Sequence, residues 1–252
     1  ANKILATAYD GEEEADVILD QAEHAIFAIA DDKIRDGFVS LRDLAQNSLD
    51  TIEKLHARKE LITGVPTGFT DLDEMTSGLQ PSDLIIIAAR PSMGKSALAL
   101  CIAANLGVRK QVPVALFTLE MSKSEVTQRL MCSEAKVESQ RLRTGKLAQD
   151  DWPRLVAAGD KLMKAPIYVD DTGSITMMEI RSKARRLKTR EPNLGLIIVD
   201  YLQLMTSGTS VENRVQEVSQ ISRQLKVLAR DLDTPVLAMS QLSRAVEQRH
   251  DK

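Results

Sequence analysis

Apolar positions along this chain recur with two periods, and the two are segregated. Near the start Val17, Ile18, Ala22, Ala25, Ile26 and Ile29 follow one another at spacings of three and four, with Phe27 beside them and Glu13, Asp20 and Glu23 elsewhere on the wheel. This predicts an amphipathic helix over 12–30, ended by Asp31-Asp32. A second helix is expected over 41–59 from Leu41, Leu44, Ala45, Leu49, Ile52 and Leu55, with a loop over 33–40 between the two. The first helix has no local partner, so its apolar face must bury against the body, a neighbouring copy or a further domain. Beyond residue 61 the pattern changes to short continuous apolar runs, at 84–88, 112–119, 167–169, 194–199 and 235–239. Helical patterns follow or separate them at 97–106, 123–133, 149–164, 175–189 and 215–232. Trp152-Pro153 falls in a first turn, where proline is tolerated, and Ser174 or Thr176 is the cap of 175–189. Strands alternating with helices predict an α/β fold, a mainly parallel sheet covered by helices on both faces. Three segments result: 1–36, an acidic helical segment; 37–60, a helical lead-in; and 61–252, the α/β core, entered through the turn-rich stretch 63–81.

Composition adds bounds rather than a function. A chain of 252 residues buries a core without disulfides, and Cys101 and Cys132 lie in helical patterns as small core residues of a reducing compartment. No signal peptide and no apolar run of about 20 residues is present, so a soluble cytoplasmic protein is expected. Residues 1–36 hold ten Asp or Glu against three Lys or Arg, a net of −7, while the whole chain carries −3 and the remainder therefore +4. Such a body permits a polyanion at one face without demanding it.

The chemistry begins at Ala89-Arg90-Pro91-Ser92-Met93-Gly94-Lys95-Ser96, between the apolar run Leu84-Ile85-Ile86-Ile87-Ala88 and a helical stretch. Strand, loop and helix in that order aim loop amides and a helix N-terminus at one point, the requirement for holding a polyphosphate. Gly94 lets the backbone approach, Lys95 brings positive charge to the β and γ phosphates, and the Ser96 hydroxyl suits Mg²⁺. Ala89 stands where the first glycine of such a loop is usual, which requires that its φ not be positive.

Ligands of parallel sheets bind beyond the carboxyl ends of the strands, which draws attention to three residues there. Asp200 ends Leu196-Ile197-Ile198-Val199 and suits Mg²⁺ opposite Ser96, or caps the next turn. Glu120 ends Phe117-Thr118-Leu119; were that strand beside the loop strand, Glu120 would reach the γ phosphate and activate water, the alternative being an acid near the next helix N-terminus. Gln241 follows Val236-Leu237-Ala238-Met239-Ser240 and can donate to a γ phosphate or to loop backbone.

Thr206, Ser207, Gly208, Thr209, Ser210, Val211, Glu212, Asn213 and Arg214 form a small, polar segment after the Asp200 strand. It suits a phosphate backbone followed without sequence preference, and equally an ordinary surface connection. The basic run 181–190 is expected to be helical, with Ile180, Ala184 and Leu187 inward and its cations on a solvated face. His24, His56 and His250 have no metal spacing, and aromatics at 3% supply no base-stacking series.

With these residues in hand the chain resembles the DnaB-type replicative DNA helicases, whose ATPase core is RecA-like. The resemblance rests on Thr67-Gly68-Phe69 with Leu72-Asp73, on Gly78-Leu79-Gln80-Pro81-Ser82-Asp83-Leu84, and on the loop from Ala88 to Ser96. It extends through Leu119-Glu120-Met121-Ser122, Arg141-Leu142-Arg143-Thr144-Gly145, Ile198-Val199-Asp200-Tyr201-Leu202-Gln203-Leu204-Met205 and Ser240-Gln241-Leu242-Ser243-Arg244. These cover about 61–252 in the family's order, the Asp200 segment being particularly specific, and Ala89 is what the family usually carries.

The resemblance implies a RecA-like P-loop core in a six-membered ring, with ATP and Mg²⁺ between neighbouring subunits. Lys95 and Ser96 would bind phosphate and metal, Glu120 would be the catalytic base, Asp200 the metal-side carboxylate and Gln241 the γ-phosphate sensor. Residues 206–214 would line the central channel and contact single-stranded DNA. The family's acidic linker helix docks on the adjacent subunit, a role that 12–30 resembles, and unwinding runs 5′ to 3′. Its N-terminal collar, which recruits primase, has no counterpart here, and a helicase loader is a further partner the family implies. After His250-Asp251-Lys252 the family continues into another DNA-contacting loop, further strands and a basic finger that reaches the neighbour's site. The leading expectation is an ATP-driven motor core that hydrolyses ATP at subunit interfaces, translocates on single-stranded DNA and unwinds duplex at a replication fork, here as a fragment that binds ATP with hydrolysis and unwinding impaired. A filament-forming recombination or repair ATPase and a nucleotide-binding module without turnover are the alternatives.

Overall fold

The computed structural model describes residues 40–58, 62–202 and 214–242. The chain divides into two compact units, Ala1–Lys59 and Glu60–Lys252. In the first, one helix is described, α1 (Leu41–Arg58), close to the expected 41–59, and its Leu41, Leu44, Leu49 and Ile52 are exposed. The helix expected over 12–30 lies outside the described residues.

Among the described residues the second unit has five strands, β1 (Leu84–Ala89), β2 (Val114–Thr118), β3 (Ile167–Asp170), β4 (Leu196–Asp200) and β5 (Val236–Gln241). They form one all-parallel sheet in the order β1-β5-β4-β2-β3. Its faces follow the two-residue alternation of a strand. Ala115, Phe117, Ile197, Val199, Val236 and Ala238 join one core, which α7 (Met177–Arg190) and α8 (Arg214–Leu232) complete through Ile180, Ala184, Ile221, Leu225 and Leu228. Val114, Leu116, Leu196, Ile198, Leu237 and Met239 join the other, against α3 (Lys95–Ala104) and α4 (Lys123–Ala135). Residues buried from both sides need no polar alternates, so these strands read as unbroken apolar runs. Each buried Leu, Ile or Val side chain contributes about 1.5–3 kcal/mol.

The strand order corrects one expectation. β2 is not beside β1, because β5 and β4 lie between them. The more deeply buried runs take the interior, β4 and β2 being buried along their whole lengths, whereas β1 and β3 are less buried and stand at the two ends of the order among the described residues. Parallel neighbours require a crossover and so need not be consecutive.

Two short helices escape the periodicity, α2 (Thr70–Thr76) and α5 (Ser139–Thr144), while α6 (Asp151–Met163) carries Trp152-Pro153 in its first turn as expected. α3 passes into a π-helical turn at Asn105–Lys110. Thr176, not Ser174, caps α7, in a capping box with Glu179. α2 is anchored by Asp73, 3% exposed, whose carboxylate accepts from the Thr67 N–H (2.7 Å), the Thr67 hydroxyl (2.7 Å) and the Gly68 N–H (3.0 Å). Asp73→Ala strands two buried donors of Thr67, besides the part-buried Gly68 N–H, and is expected to lower unfolding free energy by about 1–3 kcal/mol. Chemical denaturation checks this, and an unchanged midpoint would show the turn to be held by something else.

The cations of α7 are less solvated than expected. Arg181 and Arg185 both bond Asp231 on α8, at 2.6 and 3.2 Å, and Lys183 bonds Asp170 on β3 at 2.7 Å. Partial burial acts to raise the Asp170 pKa, but Lys183 and Thr172 together hold it below the usual carboxylate range. A depressed carboxyl contributes stability above its unfolded pKa, and that contribution is lost as pH falls through the lowered folded value. Cys101 and Cys132 are free thiols in α3 and α4. Among the described residues, no helix is long and apolar enough to cross a membrane, and no His, Cys, Asp or Glu cluster has metal-site geometry.

Candidate active site

β1 delivers the chain to Ala89, whose φ is not positive; the left-handed residues of the loop are Ser92 (φ 65°) and Gly94 (φ 84°). Alanine therefore suits the first loop position, and glycine is required at Gly94 by its backbone. Gly94 is also the N-cap of α3, with no side chain capping the helix. A Cβ at Gly94 would meet nothing within 4 Å. The first turn of α3 is thus without a side-chain cap and lines a cleft, the arrangement in which an anion can replace a cap.

Residues 89–92 and 94–97 line a cleft of about 470 Å³ together with Glu120, Met121, Glu125, Arg129 and Gln241. Met93 is 72% exposed and does not line it. Gln241 is the register partner of Ala89 on β5, and the Leu242 N–H donates to the Ala89 carbonyl at 3.0 Å, so the loop and the end of β5 are fixed together. Glu120 reaches the cleft although β2 is two strands removed. The Thr118 hydroxyl donates to the Met121 carbonyl and accepts from the Met121 N–H, both at 3.1 Å, and the Leu119 N–H donates to the Asp200 carbonyl at 2.8 Å. The first two bonds close a turn after β2, and the third carries the β2–β4 ladder to the end of β4. Ser122, not Glu120, caps α4, accepting from the Glu125 N–H at 3.2 Å. Glu120 itself is exposed to the cleft.

Behind the loop, the Lys95 ammonium lies 2.7 Å from Oδ1 of Asp200 and 4.1 Å from the centroid of the Tyr201 ring. The two side chains are 9% and 2% exposed. The contact is an ion pair without hydrogen-bond alignment, because neither the ammonium nor either carboxylate oxygen has an aligned partner among the described residues. Buried charged groups with spare hydrogen-bonding capacity are unusual outside functional sites. A hydrated divalent cation beside Ser96 and a phosphate beside Lys95 would use that capacity, so the donor set fits a magnesium–polyphosphate.

Sequence reasoning missed Glu125 and Arg129. They form an i,i+4 pair at 2.8 Å on α4 and close one side of the cleft, but in sequence such a pair looks like any helix-surface ion pair. A larger groove of about 630 Å³ between α3, α4 and α5 shares these two residues and holds Cys101 and Cys132. Its size does not decide the site; the unsatisfied Lys95 ammonium lines the smaller cleft, and Asp200, which does not line it, lies 2.7 Å behind that ammonium. Thr206, Ser207, Gly208, Thr209, Ser210 and Asn213 lie outside the described residues. Arg214 opens α8.

A family model for the DnaB-like helicase C terminal domain matches residues 64–252. Replicative DNA helicase DnaB of Geobacillus stearothermophilus is 52% identical over 253 aligned residues, covering 100% of this chain and 56% of that protein. Replicative DNA helicase DnaC of Bacillus subtilis is 49% identical over 100% of this chain and again 56% of its own length. The chain thus spans about half the length of these curated relatives. Among solved structures, one ATPase domain superposes with a TM-score of 0.78 at 38% identity, covering 82% of this chain and 74% of that one. A DnaB-like replicative helicase, described with its interactions with primase, gives 0.75 at 34% identity over 99% of this chain and 58% of that one. The sheet with its flanking helices is accordingly the RecA-like ATPase fold of these proteins, and the chain belongs to the DnaB-like helicase C-terminal domain family.

Proposed function

We propose that this domain is the ATP-hydrolysing motor of a replicative DNA helicase, coupling turnover to movement along single-stranded DNA and separation of the duplex. The observation that carries the reading is the buried Lys95–Asp200 pair, 2.7 Å apart with its hydrogen-bonding capacity unused, behind an uncapped helix N-terminus. In this reading the loop amides and Lys95 hold the β and γ phosphates of ATP. Ser96 and Asp200 would hold Mg²⁺, which when bound neutralises phosphate charge. Glu120 accepts the proton of the attacking water, and water approaches it freely because the residue is exposed. Gln241, locked beside Ala89, senses whether the γ phosphate is present. Arg129, held by Glu125, is a cation at the mouth of the same cleft.

The single-stranded DNA contact is assigned to Thr206, Ser207, Gly208, Thr209, Ser210, Asn213 and Arg214, on the connection from β4 to α8. That connection leaves the Asp200 end of β4, so phosphate loss at the cleft has a short path to it. A six-membered ring is the assembly this reading requires, with primase as a partner of the full-length protein. The exposed stripe of α1 and the exposed Trp152, Val156 and Met163 on α6 are apolar surfaces suited to contacts between copies. Charge introduced at Leu44 and Ile52 is expected to reduce the sedimenting oligomer without altering the fold; an unchanged oligomer would exclude α1 from assembly. The functional test is ATP turnover with and without single-stranded DNA. Stimulation by DNA supports the motor, whereas bound nucleotide with no turnover under any DNA condition in the full-length protein would refute it.

A further inference from the structure

Away from the nucleotide cleft, the sheet ends in an open edge. β3 pairs with β2 on one side, and among the described residues no strand pairs with its other side. The Val114 N–H donates to the Pro166 carbonyl at 2.9 Å, so alternation along the ladder turns the backbone groups of Tyr168 and Asp170 toward β2 and those of Ile167 and Val169 outward. The Ile167 N–H is taken by the Ala165 carbonyl at 2.8 Å. The Val169 N–H and the Ile167 and Val169 carbonyls remain as one outward donor and two outward acceptors.

Beside this edge a groove of about 600 Å³ runs between β3 and α7, with Tyr168, Asp170, Lys183, Arg186, Leu187 and Arg190 in its lining. Its charge is unbalanced. Lys183 is matched by Asp170 at 2.7 Å, and the Arg190 guanidinium lies 4.7 Å from the Tyr168 ring centroid, whose hydroxyl donates to Glu191 at 2.6 Å. Arg186 is exposed and has no partner among the described residues. Cations are a common way to discourage pairing at an exposed edge. Here, however, they are on the helix lining the groove rather than on the strand. Arg186 and Arg190 are one helical turn apart, about 6 Å of rise. Alternate residues of an extended strand are about 6.6 Å apart and point to the same face. A carboxylate at every second residue of an added strand would therefore meet these two arginines in register.

We propose that the free edge of β3 is a docking site for an extended, acidic peptide segment, which adds as a sixth strand by pairing with Ile167 and Val169 and sets alternate carboxylates against Arg186 and Arg190. Strand addition draws affinity from main-chain hydrogen bonds and specificity from alternate side chains, which are the two features this groove supplies. A DNA backbone offers acceptors for the one outward N–H but no donor for the two outward carbonyls, so it cannot complete the strand pairing.

The test uses a fluorescein-labelled eight-residue peptide alternating valine and glutamate, titrated into the full chain and followed by anisotropy. Saturable binding is expected, weakened roughly tenfold or more by Arg186→Glu with Arg190→Glu, a factor that corresponds to about 1.4 kcal/mol. The same peptide N-methylated at alternate residues keeps its charge, loses main-chain donors and is expected not to bind. ATP binding at the distant cleft should be unchanged in the double variant. Absence of saturable binding overturns the proposal, as does equal binding of the N-methylated peptide or of a valine–lysine peptide. Should the double variant fail to fold, the N-methylated peptide alone decides. A single-stranded oligonucleotide that binds here in place of the peptide would assign the groove to phosphate and overturn the peptide reading.

Discussion

Glu120→Gln is expected to retain ATP and to slow hydrolysis by roughly 10²–10⁴-fold, the usual contribution of a positioned general base. The amide matches the carboxylate in size and can still hold a water, but it cannot take the proton. Glu120 is exposed, and the turn that carries it is held by Thr118, Met121 and Leu119 rather than by its own side chain. Stability should accordingly change by less than about 0.5 kcal/mol. Equilibrium nucleotide binding and single-turnover hydrolysis measure the two halves of the prediction separately. Normal hydrolysis in this variant would mean that another group activates the water.

Lys95→Ala should show two losses with different origins. ATP affinity falls because the phosphate loses its buried cation, at a cost of about 2–5 kcal/mol or on the order of 10²-fold and more. Stability falls as well, because Asp200, its side chain 2% exposed, is left as an unpaired buried carboxylate, a change that costs about 3–5 kcal/mol. Adding Asp200→Asn separates them. Neutralising the second charge is expected to recover much of the stability, since removing both members of a buried pair is often nearly neutral, while ATP binding stays lost. Thermal unfolding and nucleotide titration of the three proteins provide the check. Full stability in Lys95→Ala would show that Asp200 does not depend on the lysine when nucleotide is absent.

The parts of this site that were legible in the sequence are those whose chemistry is local. The loop from Ala89 to Ser96 is recognisable because strand, turn and helix are contiguous, and Asp200 and Gln241 stand out because each ends an apolar run. The order of the strands was not legible. Glu120 was expected near the phosphate on the supposition that β2 neighbours β1, yet it reaches the cleft with two strands, β5 and β4, lying between β2 and β1. Neighbour relations in a parallel sheet are set by which runs bury most completely, a comparison among distant segments that periodicity does not make. Short helices were missed for a related reason. α2 has 7 residues and depends on the buried carboxylate of Asp73, and α5 has 6, too few in either case for a 3.6-residue pattern to register. The cations of α7 looked solvated because their partners, Asp170 and Asp231, belong to other elements. Arg129 and Glu125 were invisible as site residues since only the fold brings α4 to the loop.

In the proposed function the loop, Glu120, Asp200 and Gln241 together form one ATP site, which a crystal structure with a non-hydrolysable ATP analogue and Mg²⁺ would reveal. The γ phosphate is expected within hydrogen-bond reach of Lys95, the metal between Ser96 and the Asp200 side, and a water between Glu120 and the γ phosphorus. Nucleotide bound instead in the groove between α3, α4 and α5, or phosphates held without Lys95, would contradict it.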